Sequence, residues 1–506
     1  MGNQRDVFDS LEQINLKYRQ GSTAAEVNSV RFSRVLLINP EHNVEWPGLT
    51  APIGLGYLAE SLRNEDIDFD ILDMNLSRGL KHLRRKLDRF QPHLVGMTMI
   101  TRDYWRFYGT LAEIRRYNTR IQIVVGGPHV TILKEKVLEE CGAIDYGVAG
   151  DGERTLVELC RGGLGEQEIK GLIYRNNGRI VCTAEREPVT DLDKIPWPRF
   201  EKFELNRYFR EISLYTSRGC PYRCIFCARH VLSPKYSVRS AGNVGDELEY
   251  WYQKGYRKFN IEDDNFNLIQ GRVYAICDEI ERRKLRGLTL RCSNGIRADR
   301  VDRAMLARMR EVGFTYLAFG VDAGNDRMLK VVKKGETMAD IESAIANACQ
   351  LGYTIKLFFI IGNPSETPQD VEDMVKLSRK YPVQEVHFNN VVPYPGTELY
   401  NWIKEHNYFL RQPDEYLNNA SFWEKRPIFE TPELPAAERI RLTGYLHKIR
   451  EEIHRKSIER MFRRYGVLGK LAGRILSNKW LERFYYGSTF WRGLIERFRY
   501  RLMPAN

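Results

Sequence analysis

The chain has 506 residues, 43% of them hydrophobic, with 78 Lys and Arg against 66 Asp and Glu and a formal net charge of +12. That length exceeds what one core holds, so two to four domains are expected, and no run of about 18 uncharged apolar residues is present to span a membrane. The opening "MGNQRDVFDSLEQ" lacks the basic and apolar regions of a secretory leader, so a cytoplasmic protein is expected.

Residues 1–30 read as an N-terminal extension. In 31–165 the short apolar runs "RVLLINP", "FDILDM", "HLVGMTMI", "IQIVVGG" and "YGVAG" alternate with stretches of helical period such as Leu55–Leu62 and Leu80–Phe90. Continuous apolar strands separated by helices predict a parallel sheet covered on both faces, a Rossmann-like α/β domain. Residues 166–205, ending in the proline-bearing "CTAEREPVTDLDKIPWPRF", read as a linker or strap. From 206 to 400 six more strands follow, "EISLYTSRGC", "KFNIEDDNF", "LTLRCSNGI", "YLAFGVDAG", "IKLFFIIGN" and "EVHFNNVVPYPG", each trailed by helical sequence. Six βα units are too few for a closed eight-stranded barrel, so an open, partial barrel is expected, with its functional groups at the strand ends. Residues 401–506 are expected to be a helical, aromatic and basic C-terminal domain.

The nine cysteines are odd in number and mostly scattered, which excludes a disulfide framework. Three of them, Cys220, Cys224 and Cys227, form C-x3-C-x2-C in the loop leaving the first barrel strand. Three thiolates fit a four-iron cubane that keeps one iron open. A zinc site completed by His230 or a distant cysteine, or three plain buried thiols, are the alternatives the spacing leaves open.

With Phe226 before the third cysteine, and with "IEDDNF", "RCSNGIRAD", "FGVDAGNDRMLKVVKKGET", "FIIGNPSET" and "VVPYPGTELY" on the later strands, the segment Asn206–Tyr400 resembles the radical S-adenosylmethionine (SAM) superfamily. The resemblance implies a [4Fe-4S] cluster on the three cysteines and SAM chelated to its open iron. It places Phe226 beside the adenine, Glu262, Asp263, Ser293, Arg297 and Asp322 among the polar contacts to SAM, and Gly362 where the fifth strand passes the adenine. The aspartate of "GVDAG" stands where the superfamily carries a glutamate. Acid clusters at strand ends also occur as plain turns or helix caps, and Gly362 also fits an ordinary strand-to-helix turn.

The features "LLINP", "APIGLGYLAESL", "PHLVGMTMIT", "VVGGPHVT" and "YGVAGDGERTLVEL", spanning Arg34–Cys160, resemble the cobalamin-binding domain fused ahead of many enzymes of that superfamily. By that resemblance Asn39, Thr98, Gly126, Gly127, His129, Gly150 and Glu153 belong to the cobalamin site. Glycines at the ends of parallel strands let backbone approach a bulky ligand. The cobalt-ligating D-x-H-x-x-G motif is absent, and His129 is expected to line the pocket instead of binding cobalt.

The two resemblances together imply a class B-like C-methyltransferase acting on an unactivated sp3 carbon through a 5′-deoxyadenosyl radical and methylcobalamin. A cobalamin-dependent radical cyclase or oxidoreductase without methyl transfer is the alternative. An RNA-modifying methylthiotransferase-like enzyme is disfavoured for want of a second cysteine triad, and a non-catalytic corrinoid carrier by the intact triplet. Expected partners are a small-molecule, lipid or natural-product substrate and a reductant such as flavodoxin or ferredoxin; nucleic acid is not expected. The final 56 residues hold thirteen Lys and Arg against five acids. Their interleaved apolar and basic positions, followed by an aromatic and arginine mixture, give two readings: a helical cap over the barrel, or a peripheral contact with the inner face of the membrane.

Overall fold

The computed structural model describes residues 30–42, 50–419 and 426–461. In the first sheet β1 (Arg34–Asn39), β2 (Asp68–Asp73), β3 (Leu94–Thr98), β4 (Gln122–Gly126) and β5 (Tyr146–Val148) run parallel in the order β2-β1-β3-β4-β5. Their sequences are continuous apolar runs because helices cover both faces; Val35, Leu36, Leu37 and Ile38 are all buried. The winding direction reverses between β1 and β3. At such a reversal the connections diverge and a crevice opens beyond the carboxyl ends of the strands.

Two further strands, β6 (Leu172–Asn176) and β7 (Arg179–Cys182), continue this sheet antiparallel beyond β5. The stretch 166–205, expected as a linker, therefore includes an edge hairpin of the first sheet. Edge β7 is short and solvent-exposed, so no buried run marks it. The turn carries the signal: Asn177 and Gly178 both have positive φ, 48° and 78°, as a tight two-residue hairpin turn requires.

The second sheet is all parallel, in the order β8 (Ile212–Leu214), β11 (Lys258–Ile261), β12 (Thr289–Ile296), β13 (Phe314–Asp322), β14 (Thr354–Ile361) and β15 (Glu385–Asn390). Between β8 and β11 lies a small antiparallel pair, β9 (Ser217–Arg218) and β10 (Ser237–Val238). The helices returning from these strands begin at side-chain caps: Asp302 accepts from Met305 N, Thr337 from Asp340 N and Thr367 from Asp370 N. Each satisfies an otherwise unpaired amide of the first turn and so fixes where the preceding loop ends. On β14, Ile355, Leu357, Phe359 and Ile361 are buried under the helices while Lys356, Phe358 and Ile360 on the opposite, concave face are half-buried. The floor of that concave face carries ion pairs, Arg291 with Glu211 at 3.3 Å and Lys356 with Glu385 at 3.7 Å.

The sheet stays open, and its β15 edge is covered by the helix Ala436–Met461. Leu442, Leu446, Ile449 and Ile453 of that helix enter the same core as the barrel strands. Covering an edge in this way removes a row of unpaired backbone groups from solvent. The basic and aromatic sequence that follows Met461 lies outside the described residues.

Candidate functional site: a cleft between the strand ends of two sheets

The carboxyl ends of β1, β3, β4 and β5 face the start of the barrel across a cleft of about 1200 Å³, part of it open to solvent. Leu37, Gly96, Thr98, Val124, Gly126, Gly127 and Gly150 form one wall; Tyr215, Arg218, Arg229, Ser233 and Asp264 form the other. Gly127 has φ +102°, and a Cβ there would sit 2.8 Å from Met99 O, so the turn after β4 admits only glycine. At Gly150, with φ +81°, a Cβ would meet nothing and would project into open space. The wall is thus kept low where a ligand would lie.

The cysteines sit in the loop that follows β9. Its entry is fixed by Asp263, 1% exposed, whose carboxylate accepts from Thr216 N and Ser217 Oγ, both at 2.6 Å. Burial pushes that carboxyl up, and Arg272 and these donors oppose the push. Asp263 is therefore engaged with the strand that carries the loop, which it anchors, and is not among the residues that line the cleft. Gly219, φ +85°, takes the next step, where any Cβ would collide with the carbonyl of Lys235. Its N–H donates to Asp264 Oδ2 at 3.2 Å, and Asp264 Oδ1 pairs with Arg229 at 2.9 Å. Farther along, Ile225 N donates to Val332 O and Leu399 N to Ile225 O. The Arg297 guanidinium lies 3.5 Å from the centroid of Tyr222 and donates to the carbonyls of Lys334 and Gly335. Arg297 is thereby fixed between the cysteine loop and the loop after β13.

Cys220, Cys224 and Cys227 are half-buried free thiols in this anchored loop, and Phe226 beside Cys227 is half-buried against the core. Burial pushes the Cys224 thiol up to about 12, so it ionises at neutral pH only beside a metal. Among the described residues, no three His, Cys, Asp or Glu side chains converge as one mononuclear ion requires. In a cubane each thiolate takes its own iron, so the three converge on one cluster at wider spacing than around a single ion. Three thiols in one anchored loop fit a four-iron cluster that keeps one iron open.

On the concave face below the loop, Glu262 Oε1 accepts from Ser213 Oγ at 3.2 Å and from Asn260 Nδ2. Asn260 Oδ1 accepts from Ser293 Oγ at 2.6 Å. Glu262 and Ser293 are thus joined through Asn260, a residue the motifs did not single out. Burial pushes the Glu262 carboxyl up. Asp322 has the unusual φ of +63° and pairs with Lys334 Nζ at 2.6 Å, itself 3.6 Å from Glu336. Lys334 is held protonated by these two carboxylates against the burial that opposes it.

Of the residues expected at the first domain's site, Thr98, Gly126, Gly127, Gly150 and Glu153 line the cleft. Two others lie elsewhere. Asn39 donates to Asp73 Oδ1 at 3.1 Å, beside Tyr208, which donates to Asp73 Oδ2 at 2.8 Å. His129 is 0% exposed, stacked on Tyr104 with centroids 4.7 Å apart and with Nε2 3.3 Å from the Tyr108 hydroxyl. It belongs to the core behind β4 and does not line the cleft, contrary to the expectation from "GGPHV". The reason is geometric: Pro128 opens a short helix, and one residue on the side chain points back into the domain.

Arg218 and Tyr57 were not apparent in the sequence. Arg218 lies 4.8 Å over the Tyr57 ring and pairs with Glu153 at 2.6 Å and Asp151 at 3.3 Å. The only signal for Arg218 is its place two residues before Cys220.

The B12 binding domain model matches residues 43–160 and the Radical SAM superfamily model residues 214–378. An uncharacterized methyltransferase of Pyrococcus horikoshii is 30% identical over 370 residues, 71% of this chain and 80% of the relative. An anaerobic magnesium-protoporphyrin IX monomethyl ester cyclase of Rubrivivax gelatinosus is 26% identical over 392 residues, 72% of this chain and 69% of the relative. Among solved structures, the radical SAM methyltransferase TsrM of Kitasatospora setae superposes with a TM-score of 0.66 at 24% identity, covering 75% of this chain and 77% of that one, a likeness of fold. Two domain models in this order, a relative matched over most of its length, and a cleft that brings glycine-lined strand ends to a three-cysteine loop place the chain among the cobalamin-dependent radical SAM enzymes, which work with cobalamin, SAM and a [4Fe-4S] cluster.

Proposed function

We propose that the enzyme is a C-methyltransferase acting on an unactivated sp3 carbon of a small-molecule, lipid or natural-product substrate. The observation that carries this reading is the cleft onto which both the first sheet's glycine-lined ends and the anchor residues of the cysteine loop open. When bound, the cofactors supply a hydrogen-abstracting radical and a transferable methyl group; the protein's part is to bind, orient and exclude competing reactants.

In this reading Cys220, Cys224 and Cys227 hold the cluster through their thiolates, with Phe226 an apolar neighbour for the adenine. The Glu262, Asn260 and Ser293 network faces SAM from the barrel wall, and Asp322, fixed by Lys334, presents a carboxylate beside it. Arg297 holds the loop that bears the cysteines. Gly362 lets the exit of β14 pass close to the adenine. Thr98, Gly126, Gly127 and Gly150 admit the corrin, while Glu153 acts through Arg218. Curated relatives named as methyltransferases support methyl transfer, including the cytidylyl-2-hydroxyethylphosphonate methyltransferase of Streptomyces wedmorensis. The cyclases among the relatives favour a second reading, radical cyclisation without methyl delivery.

Anaerobic turnover with methyl-labelled SAM and a reductant decides between them. A methyltransferase forms S-adenosylhomocysteine and 5′-deoxyadenosine and puts label in the product; a cyclase forms deoxyadenosine without label transfer. An acidic one-electron carrier such as flavodoxin or ferredoxin is the partner this reaction calls for. No helix among the described residues is long and apolar enough to cross a membrane. For the basic, aromatic sequence after residue 461 we propose peripheral contact with anionic lipid, to be tested by liposome co-sedimentation of the full chain and of one ending at Met461, past the helix that covers the barrel edge.

A further inference from the structure

The first turns of the helix Ala436–Met461 press on the exits of the last two barrel strands. Arg439, 1% exposed, lays its guanidinium flat on Gly362: a Cβ added to that glycine would lie 2.5 Å from Arg439 Cζ and 2.7 Å from Nη1. On the other side the guanidinium stands 4.4 Å from the centroid of Phe429, and Nη1 donates to Phe429 O at 3.0 Å. One helical turn later Thr443 Oγ1 accepts from Asn390 at the end of β15, at 3.4 Å.

Gly362 itself has φ +99°, and its N–H, with that of Asn363, donates to Glu366 Oε2. Glu366 is fully buried, so the exit turn of β14 is held from one side by a buried carboxylate and from the other by a buried guanidinium. The two groups do not touch. No N–O approach of 4.0 Å or less joins them, and Arg439 Nε and Nη2 and Glu366 Oε1 have no hydrogen-bond partner. Burying a guanidinium with two unpartnered nitrogens, three N–H groups in all, is costly. A solvent-facing arginine on an edge-covering helix would avoid that cost, so the placement calls for a reason other than stability.

We propose that Arg439 is a positioning residue for SAM: the C-terminal helix, through its guanidinium, fixes the path of backbone at Gly362 and so the shape of the pocket that receives the adenine. This rests on the reading above that the exit of β14 borders SAM. It gives the C-terminal domain a part in cofactor binding that neither domain model covers, since the radical SAM match ends at residue 378.

The test uses full-length, anaerobically reconstituted protein and reads SAM affinity by equilibrium dialysis, KM and kcat for 5′-deoxyadenosine formation, and iron content. Arg439→Lys keeps the charge but loses the plane, and Arg439→Gln loses the charge; both are expected to raise the SAM Kd and KM about tenfold or more with kcat for cleavage and iron content little changed. A simple loss of stability would instead lower iron content and kcat together with no KM change. Gly362→Ala separates this inference from the reading it rests on. If Gly362→Ala leaves SAM affinity unchanged, the turn does not border SAM and the reading fails. If Gly362→Ala weakens SAM but both Arg439 variants bind it within twofold of wild type, the Arg439 inference alone fails. In the Arg439→Gln background the added methyl meets a shorter side chain, so Gly362→Ala is expected to cost less affinity there than in wild type; equal costs overturn the proposal as well.

Discussion

Arg218 Nη2 donates to Glu153 Oε1 at 2.6 Å, an ion pair that joins the strand leading into the cysteine loop to the first turn of a helix in the other domain. Both side chains are mostly buried, at 18% and 13% exposure, so the pair is not a surface contact of negligible worth. Burial pushes the Glu153 carboxyl up, but Arg218 outweighs it and holds the group below the usual carboxylate range. Removing one partner leaves the other charged and buried, which typically costs about 3–5 kcal/mol. Glu153→Gln and Arg218→Met are each expected to lower the thermal midpoint and to lose cobalamin on desalting, read from the visible spectrum. The double variant should lose less than the sum of the singles; strict additivity would show that the two side chains act separately.

Alanine at Cys220, Cys224 or Cys227 should each reduce bound iron to background and abolish SAM cleavage, because a cubane missing one of three protein thiolates is not retained. Asp263→Ala should act one step removed. It frees Thr216 N and Ser217 Oγ from their acceptor and loosens the loop, so iron content should fall partially while the three thiols remain titratable. Recovery of one zinc per chain from wild type, with no iron-dependent cleavage, would overturn the cluster assignment.

Most of the fold is legible in the sequence because parallel strands covered on both faces are unbroken apolar runs, and "RVLLIN", "LVGMT" and "QIVVG" stand out for that reason. The hairpin Leu172–Cys182 is not, since an edge strand with one solvated side has no such run. The cysteines are legible because their chemistry is local and their spacing is short. Side-chain direction is another matter. The adjacent acids Glu262, Asp263 and Asp264 follow β11 with alternating orientation, so the second anchors a neighbouring strand while the first and third face the concave side and the cleft. Arg218, Asn260 and Arg439 act through partners 65, 33 and 77 positions away, and spacing along the chain carries no trace of such contacts.

His129 illustrates the same point and yields a prediction. Burial pushes its imidazole down to about 3, with Lys136 adding to the effect, so the ring is neutral at every working pH. It stacks on Tyr104 behind β4 and is not among the residues that line the cleft. His129→Gln is therefore expected to leave cobalamin stoichiometry intact and to destabilise the domain by about 1–3 kcal/mol through lost packing and an altered hydrogen bond to Tyr108. The cobalt(II) EPR spectrum of wild type should carry no nitrogen splitting from a protein imidazole, and the variant should match it. A splitting that disappears in His129→Gln would make this residue a cobalt ligand and the placement wrong.

Glu366 ties pH to stability. Burial raises its carboxyl from 4.5 to about 7 in the folded protein, although the Gly362 amide and Arg439 oppose the shift. Between those two values the folded state holds a proton that the unfolded chain has released. The contribution to stability is thus fully present below about 4.5 and is lost as pH rises through 7. At roughly 1.4 kcal/mol for each tenfold change in proton affinity, the loss is on the order of 3 kcal/mol. Glu366→Gln keeps an acceptor oxygen for Gly362 N and Asn363 N but cannot ionise. The expected result is a wild-type denaturation midpoint that falls from pH 5 to pH 8 relative to that of Glu366→Gln, the difference between the two proteins cancelling every other titrating group. Parallel profiles for the two would mean that Glu366 is ionised throughout, held so by Arg439 at closer range than the structure places it.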